Sequence, residues 1–276
     1  MKTKMIKYKK TGFLMHKYIK TYTVILDDMD VRKHRLRPIS AVMYLQDTFA
    51  RYCATQRMAA YDLLEKDQIW VISEIHMDFV DNLPFWSEDL KVELWFSEIS
   101  KLKVYADFNL YYNDKLVAKG NSLWIILNAT TKRPVKADEM AAKFEVCTDL
   151  ALGPHTKMVL PKFTEPYTKI THTNNLSDID FNKHVNNKSY INLAEMTAPT
   201  EFIQNHTLKS LHVRFNRETF LGDTLQCTTY KTAQPKTYAH IIEKDDTSVC
   251  DIVTVWQEQK ENVRIVDYDL PIKSKC

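Results

Sequence analysis

Residues 177–187 read Ser-Asp-Ile-Asp-Phe-Asn-Lys-His-Val-Asn-Asn, a run that packs carboxylates, amides and an imidazole between apolar residues. Asp180, Asn182 and His184 alternate along it. In an extended segment, side chains of one parity share a face. That spacing would converge an acid, an amide and an imidazole on one spot, as proton-transfer chemistry requires. The competing reading is a helix entry with Asn186 and Asn187 as caps. It accounts for the two asparagines but not for Asp180 and His184 on one face.

The whole chain narrows the chemistry. At 276 residues it fits one large or two ordinary domains, and 45% hydrophobic content supplies an ordinary core. A net charge of +3 argues against general nucleic-acid binding. The lysines at 2, 4, 7, 9, 10, 17 and 20 read as a frayed N-terminus. No apolar run is long enough to span a bilayer and no signal peptide opens the chain. The expectation is a cytoplasmic protein without membrane contact. The five cysteines, Cys53, Cys147, Cys227, Cys250 and Cys276, form no CxxC pair and read as reduced thiols. The four glycines, Gly12, Gly120, Gly153 and Gly222, cannot build a phosphate loop or a dinucleotide fingerprint. The histidines form no HExxH set, so neither a cofactor nor a metal is expected.

The elements that must position the loop follow from periodicity. Residues 18–26 are β-rich. Pro38 opens a helix with Val42, Leu45, Phe49 and Cys53 at helical spacing, running to about 56, and a second helical piece lies near 59–65. Strands are expected at 70–80, around 90–96 and 104–110, and at 116–127, with Asn113-Asp114 as a turn. Residues 130–168 lack periodicity and read as a surface-packed linker with a short helix near 138–144. The plan then repeats. A strand at 167–173 leads into the polar loop, and a helix runs from 187 to about 204 with Pro199 bending or splitting it. Strands follow at 211–215, 224–231, 237–243 and 249–257, and residues 265–276 read as a tail crossing back over the body. Asp28-Met-Asp-Val-Arg-Lys-His34 matches Asp178-Ile-Asp-Phe-Asn-Lys-His184 in the same place, which points to duplication. The first copy has Arg32 where the second has Asn182, and no asparagine pair follows His34. If one copy is catalytic it is the second.

A helix wrapped by an antiparallel sheet, twice in one chain, resembles a double hot-dog fold of the α+β class. The residues resemble the acyl-acyl-carrier-protein thioesterases. Asp180, Asn182, His184, Val185, Asn186, Asn187 and Tyr190 match that family's Asp-x-Asn-x-His-Val-Asn-Asn-x-x-Tyr signature. Asn216-Arg217-Glu218 matches its basic-basic-Glu segment. Its Ser, Trp, Asn and Thr-basic-basic stretch is matched within residues 120–133, followed by Asp138-Glu139. The resemblance implies an N-terminal hot-dog repeat at 1–130 holding the acyl chain, a linker at 131–165 and a catalytic C-terminal repeat at 166–276. It implies hydrolysis of fatty acyl-carrier-protein thioesters, ending fatty-acid synthesis, with acyl carrier protein as partner. The expected oligomeric state is monomer or homodimer. Plant members carry a plastid-targeting extension; this chain starts close to the fold and resembles a bacterial member.

Many members place a cysteine directly after the signature Glu. Here that position is Thr219, and Cys227 lies about 26 Å further along an extended strand. The expected mechanism is therefore water activated by general bases. Glu218 has the parity of His212, Arg214 and Asn216 on the polar side of its strand and is the first choice of base. Asp180 and His184 share the role or hold the water. Asn182 orients substrate or stabilises the oxyanion, joined by backbone N–H groups near 185–187. Asn186 and Asn187 are substrate-binding candidates. The acyl slot is expected among Met43, Leu45, Phe49, Trp70 and Ile72. Lys132, Arg133, Lys183, Lys188, Arg214 and Arg217 are expected to receive the acidic carrier. Three readings stay open on the residues: this thioesterase, an acyl-CoA thioesterase or other hot-dog thioester enzyme, and a non-catalytic acyl-binding module.

Overall fold

The computed structural model describes residues 5–10, 13–30, 33–180, 182–198 and 200–259. The expected tail at 265–276, with Cys276, lies outside these residues, as do Arg32, Phe181 and Pro199. The first half runs β1 (Met5–Lys10), β2 (Phe13–Thr23), β3 (Met29–Asp30), β4 (Arg35–Leu36), α1 (Pro38–Ala54) and α2 (Ala60–Leu64). It continues with β5 (Gln68–Phe79), β6 (Asp89–Ile99), β7 (Val104–Tyr112), β8 (Lys115–Asn128) and β9 (Pro134–Val135). After α3 (Asp138–Lys143), the second half has β10 (Phe163–Thr173), α4 (Asn187–Met196), α5 (Thr200–Asn205), β11 (His206–Phe215), β12 (Thr224–Thr232), β13 (Thr237–Lys244) and β14 (Thr247–Glu258).

Pro38 starts α1, and the stripe Val42, Leu45, Phe49 and Cys53 is buried against the sheet. The β7–β8 hairpin closes on Asn113 and Asp114, both at positive φ (49° and 58°), a conformation these two residue types tolerate. In sheet order the first half is β2-β6-β7-β8-β5 and the second, from the opposite edge, β10-β12-β13-β14-β11. β5 and β11 pair antiparallel and join the halves into one sheet. There His76 stands opposite His212, with the two rings stacked at 4.4 Å. The two halves are thus related by an approximate two-fold axis near this pair.

A bulge between Ile72 and Glu74 shifts the parity of β5. Ile72 and Ile75 are therefore both buried although three residues apart. The linker crosses the outer face of the sheet. Its Asp149 carbonyl accepts from Trp95 Nε1 at 2.7 Å, and its His155 Nε2 meets Asp107 Oδ2 at 2.8 Å. Met158 is held from both halves, by Glu74 Oε1 at 2.8 Å and Arg214 Nη1 at 3.1 Å.

The duplicated loops correspond, with one residue's difference in length. Leu26–Asp28 and Leu176–Asp178 are matching 3-10 turns. Met29 pairs Leu36 in one loop, and Ile179 bridges Val185 in the other. The first loop is one residue longer, so the pairing sets Arg35, not His34, in the place of His184. His34 instead shares the positive φ of Lys183 (51° and 67°). The sequence match of the two histidines does not survive in space.

Candidate active site

One cavity of about 690 Å³ is lined by Asp180, Asn182, His184, Asn186, Asn187 and Glu218 from the second half and by Met43, Phe49 and Trp70 from the first. The expected catalytic residues, the two asparagines and all the expected slot residues except Leu45 therefore line one space. Ile72 and Trp124 extend its apolar wall. Leu45, grouped with these residues on the helical stripe, is fully buried core instead.

The polar loop is a tight turn rather than an extended strand. Asp180 Oδ1 accepts from the backbone N–H of Asn182 at 2.8 Å and of His184 at 3.3 Å. The Asp180 N–H returns to the His184 carbonyl at 2.8 Å, and Lys183 closes the turn at φ 67°. Asp180 thereby organises its own loop, as short acidic side chains do in turns. His184 leaves the turn with Nδ1 3.6 Å from Glu218 Oε1 and packs edge-on against Phe220, centroids 5.3 Å apart.

Glu218 lies beyond the end of β11, so strand parity does not place it. The residues of its expected parity, His212 and Arg214, face outward and bind Glu74 and Asp251 at 2.7 Å each. Arg214 is thereby removed from the expected carrier-facing cations. Glu218 faces the cavity because the segment after β11 turns inward. There the Asn216 and Arg217 N–H groups bond the Val249 carbonyl at 2.9 and 3.2 Å, and the Thr219 carbonyl takes the Val185 N–H at 2.9 Å. Its second oxygen, Oε2, meets Lys132 Nζ at 3.1 Å, a partner from the first half.

Thr219 is fully buried, its hydroxyl 2.7 Å from Tyr190 Oη. The hydroxyl thus ties the loop to α4. Cys227 is buried in the core, where desolvation pushes its thiol up to about 12. Neither geometry nor ionisation makes either residue a nucleophile.

The expected oxyanion donors are mostly committed. Val185 N–H goes to Thr219 and Asn186 N–H to the Asp178 carbonyl at 2.7 Å. Asn186 caps α4, its Oδ1 accepting from Lys188 N–H at 3.0 Å. Asn187 does not cap. Its Nδ2 donates to Gln46 Oε1 on α1 at 3.1 Å, joining the two helices across the site. Gln46 also lines the cavity, and nothing on a helical stripe marks in sequence which polar residue faces a partner helix.

The apolar arm lies between α1 and the sheet. Phe49 stacks on Trp124 at 3.7 Å, and Trp70 meets both edge-on at 5.2 and 6.4 Å. The indole nitrogens are satisfied elsewhere, Trp70 by the Met58 carbonyl at 2.8 Å and Trp124 by Ser122 Oγ at 2.9 Å. The slot wall is therefore apolar ring and aliphatic surface. Among the described residues no cluster of His, Cys, Asp or Glu could hold a metal ion.

Residues 15–144 match the model of the acyl-ACP thioesterase N-terminal domain and residues 163–258 that of the C-terminal domain. A chloroplastic palmitoyl-acyl carrier protein thioesterase of Arabidopsis thaliana is 26% identical over 218 residues, 74% of this chain and 53% of its own length. One from Gossypium hirsutum is 26% identical over 200 residues, 67% of this chain and 48% of its own. The chain thus spans about half the length of these curated relatives. In fold it is similar to a Bacteroides thetaiotaomicron acyl-ACP thioesterase, with TM-score 0.78, 20% identity and coverage of 87% of this chain and 98% of that one. It is likewise similar to the 12:0-ACP thioesterase of Umbellularia californica, with TM-score 0.77, 17% identity and coverage of 88% and 98%. Both domain models match in the expected order and together take in both faces of the cavity, so the chain belongs to the acyl-ACP thioesterase family.

Proposed function

We propose that this chain hydrolyses fatty acyl thioesters carried on acyl carrier protein, releasing the free fatty acid and the carrier thiol and so ending chain elongation. The observation that carries the reading is the junction of a Glu218–His184 pair with an apolar slot in one cavity of about 690 Å³. The acyl chain lies along Phe49, Trp70 and Trp124, which sets the thioester carbonyl at the polar mouth. Glu218, supported by His184, takes a proton from the attacking water as the water oxygen bonds the carbonyl carbon. The tetrahedral intermediate collapses by breaking the C–S bond; the thiolate, a good leaving group with a thiol pKa of about 8.5, departs and then takes up the proton held by Glu218, which restores the base. Asn182 supplies the amide donor for the developing oxyanion. Asp180 holds the loop that presents Asn182 and His184.

The carrier arrives at the rim. Lys183, Arg133 and Arg217 are exposed there, drawn from both halves, and their charge suits an acidic partner. The compartment in this reading is the one that holds the carrier, the cytoplasm in a bacterial cell. Because one chain supplies both walls of the cavity, a monomer suffices. The test is thiol release from acyl-carrier thioesters of graded chain length, run beside the matching acyl-CoA series. Release from the carrier series supports the function. Release from acyl-CoA alone would move the activity to another thioester class, and release from neither would leave an acyl-binding module.

A further inference from the structure

Glu218 is held from two sides by groups that come from different halves of the chain. His184 Nδ1 stands 3.6 Å from Oε1, and Lys132 Nζ stands 3.1 Å from Oε2. Lys132 carries a half-exposed side chain on a firmly held turn. It sits at φ 57° in the turn between β8 and β9, a left-handed conformation that is uncommon for a lysine and that its surroundings hold in place. The enforcement is visible. Lys132 N–H bonds the Asn128 carbonyl at 2.9 Å, and the Asn128 N–H bonds the Arg133 carbonyl at 2.9 Å. Asn128 Oδ1 takes the Thr131 N–H at 2.7 Å. Asp67, itself at φ 54°, grips the turn from α2's exit: its carboxylate accepts from Asn128 Nδ2 at 2.8 Å and Thr130 Oγ1 at 2.9 Å. Its carbonyl takes the Ala129 N–H at 2.8 Å.

A turn built this firmly to aim one lysine at the carboxylate of the opposite half is more than a cation waiting at the rim. Resting on the hydrolase reading above, we infer that Lys132 is a positioning residue for Glu218. By occupying Oε2 it fixes the rotamer that turns Oε1 to His184 and the attacking water, and it makes the base of the second half depend on the first. The same charge would serve a docking role only if it were free to meet the carrier, so the two roles separate in kinetics.

The experiment compares wild type, Lys132→Met, Lys132→Arg, Glu218→Gln and the Lys132→Met/Glu218→Gln pair. Each is assayed on an acyl-carrier thioester and on the same acyl group as its N-acetylcysteamine thioester, which has no carrier to dock. Positioning predicts that Lys132→Met lowers kcat about 10- to 100-fold on both substrates with KM within about two-fold, the size of a misplaced catalytic group. Lys132→Arg should recover most of the loss, and Lys132→Met should cost nothing further once Glu218 is Gln. A rise in KM confined to the carrier substrate, or an equal loss from Lys132→Met with and without Glu218, overturns the inference. Wild-type hydrolysis that Lys132→Met leaves intact overturns it while the function stands. Absence of wild-type hydrolysis overturns the function itself.

Discussion

The two halves of the chain place corresponding loops on opposite sides of the β5–β11 junction, and the residues expected to act line the larger cavity at only one of them. In the second half, Val185 pairs back to Ile179, His184 precedes it, Phe220 packs on His184, and Asn216–Glu218 bring in the carboxylate. In the first half Leu36 pairs back to Met29, and Arg35 stands where His184 would be, 4.0 Å over the ring of Phe85. Phe85 and Phe220 head the same turn, each N–H bonded to the acid three residues on, Glu88 at 2.8 Å and Asp223 at 2.9 Å. Asp30 repeats Asp180, but Val80–Leu83 replace the segment bearing Glu218. The cavity left there is about 110 Å³ against about 690 Å³ at the complete site. The scaffold was kept twice and the titratable pair once, because a loop can lose its base without losing its fold.

The helix–sheet layer divides the labour in the other direction. In the first half Phe108 stands opposite Gly120, and a Cβ on Gly120 would lie 2.1 Å from the His76 carbonyl and 2.4 Å from the Phe108 ring. In the second half the same two positions are His240 and Ile252. His240 is buried and bonds Thr229 at 2.7 Å and Thr254 at 2.9 Å, while Thr197 on the exit of α4 closes the knot. An aromatic slot opens under α1, and a filled polar knot holds α4 down. The open apolar slot therefore lies in the first half, and the Glu218–His184 pair faces it from the second.

The largest expected effect breaks the complete site. Glu218→Gln should cut kcat/KM about 10²- to 10⁴-fold, the usual worth of a general base, with unfolding unchanged, whereas Asn82→Ala at the mate should stay within about two-fold. His184→Arg, which copies the mate, should lose activity on the same scale. Next is the knot. His240→Phe copies the first half and orphans buried hydroxyls, so denaturant unfolding should show a loss of about 1–3 kcal/mol. It should also flatten the pH dependence. Burial pulls His240 from 6.5 down to about 3, so between those values the unfolded chain binds a proton the folded one does not. Wild-type stability should fall as pH drops below 6.5, and the variant should lack that component. Smaller still, Arg35→Ala should lower stability by about 1 kcal/mol through its lost bond to the Leu83 carbonyl, with hydrolysis unchanged. Least of all, Thr219→Cys should leave turnover insensitive to iodoacetamide, because that side chain is fully buried against Tyr190.

Much of this was legible in the residues. Alternation around 90–96 and 104–110 declared strands, Pro38 and its stripe declared α1, and the loop before α4 declared its polar cargo. Period reports which face a residue takes within its own element, and there it succeeded. It does not report which elements meet. The approach of Lys132 to Glu218 and of Asn187 to Gln46 is a meeting of distant elements that periodicity cannot report. Local irregularity was equally silent. The bulge after Ile72 reset the parity of β5, the end of β11 before Glu218 made its parity meaningless, and one extra residue in the first loop made His34 look like the partner of His184. The spacing of Asp180 suits an extended strand and points to proton transfer, but in the turn its carboxylate engages two backbone N–H groups.

The central claim is that the second half supplies a water-activating carboxylate and the first half the acyl slot, in one thioesterase. The most direct measurement is single-turnover hydrolysis of an acyl-carrier thioester by the wild-type chain and by Glu218→Gln, following free thiol and, by mass spectrometry, any acyl group on the protein. The account predicts thiol release by the wild type, loss of that release in the variant and no acyl-enzyme in either. An acylated protein that accumulates, or a variant that hydrolyses as fast as the wild type, would contradict it.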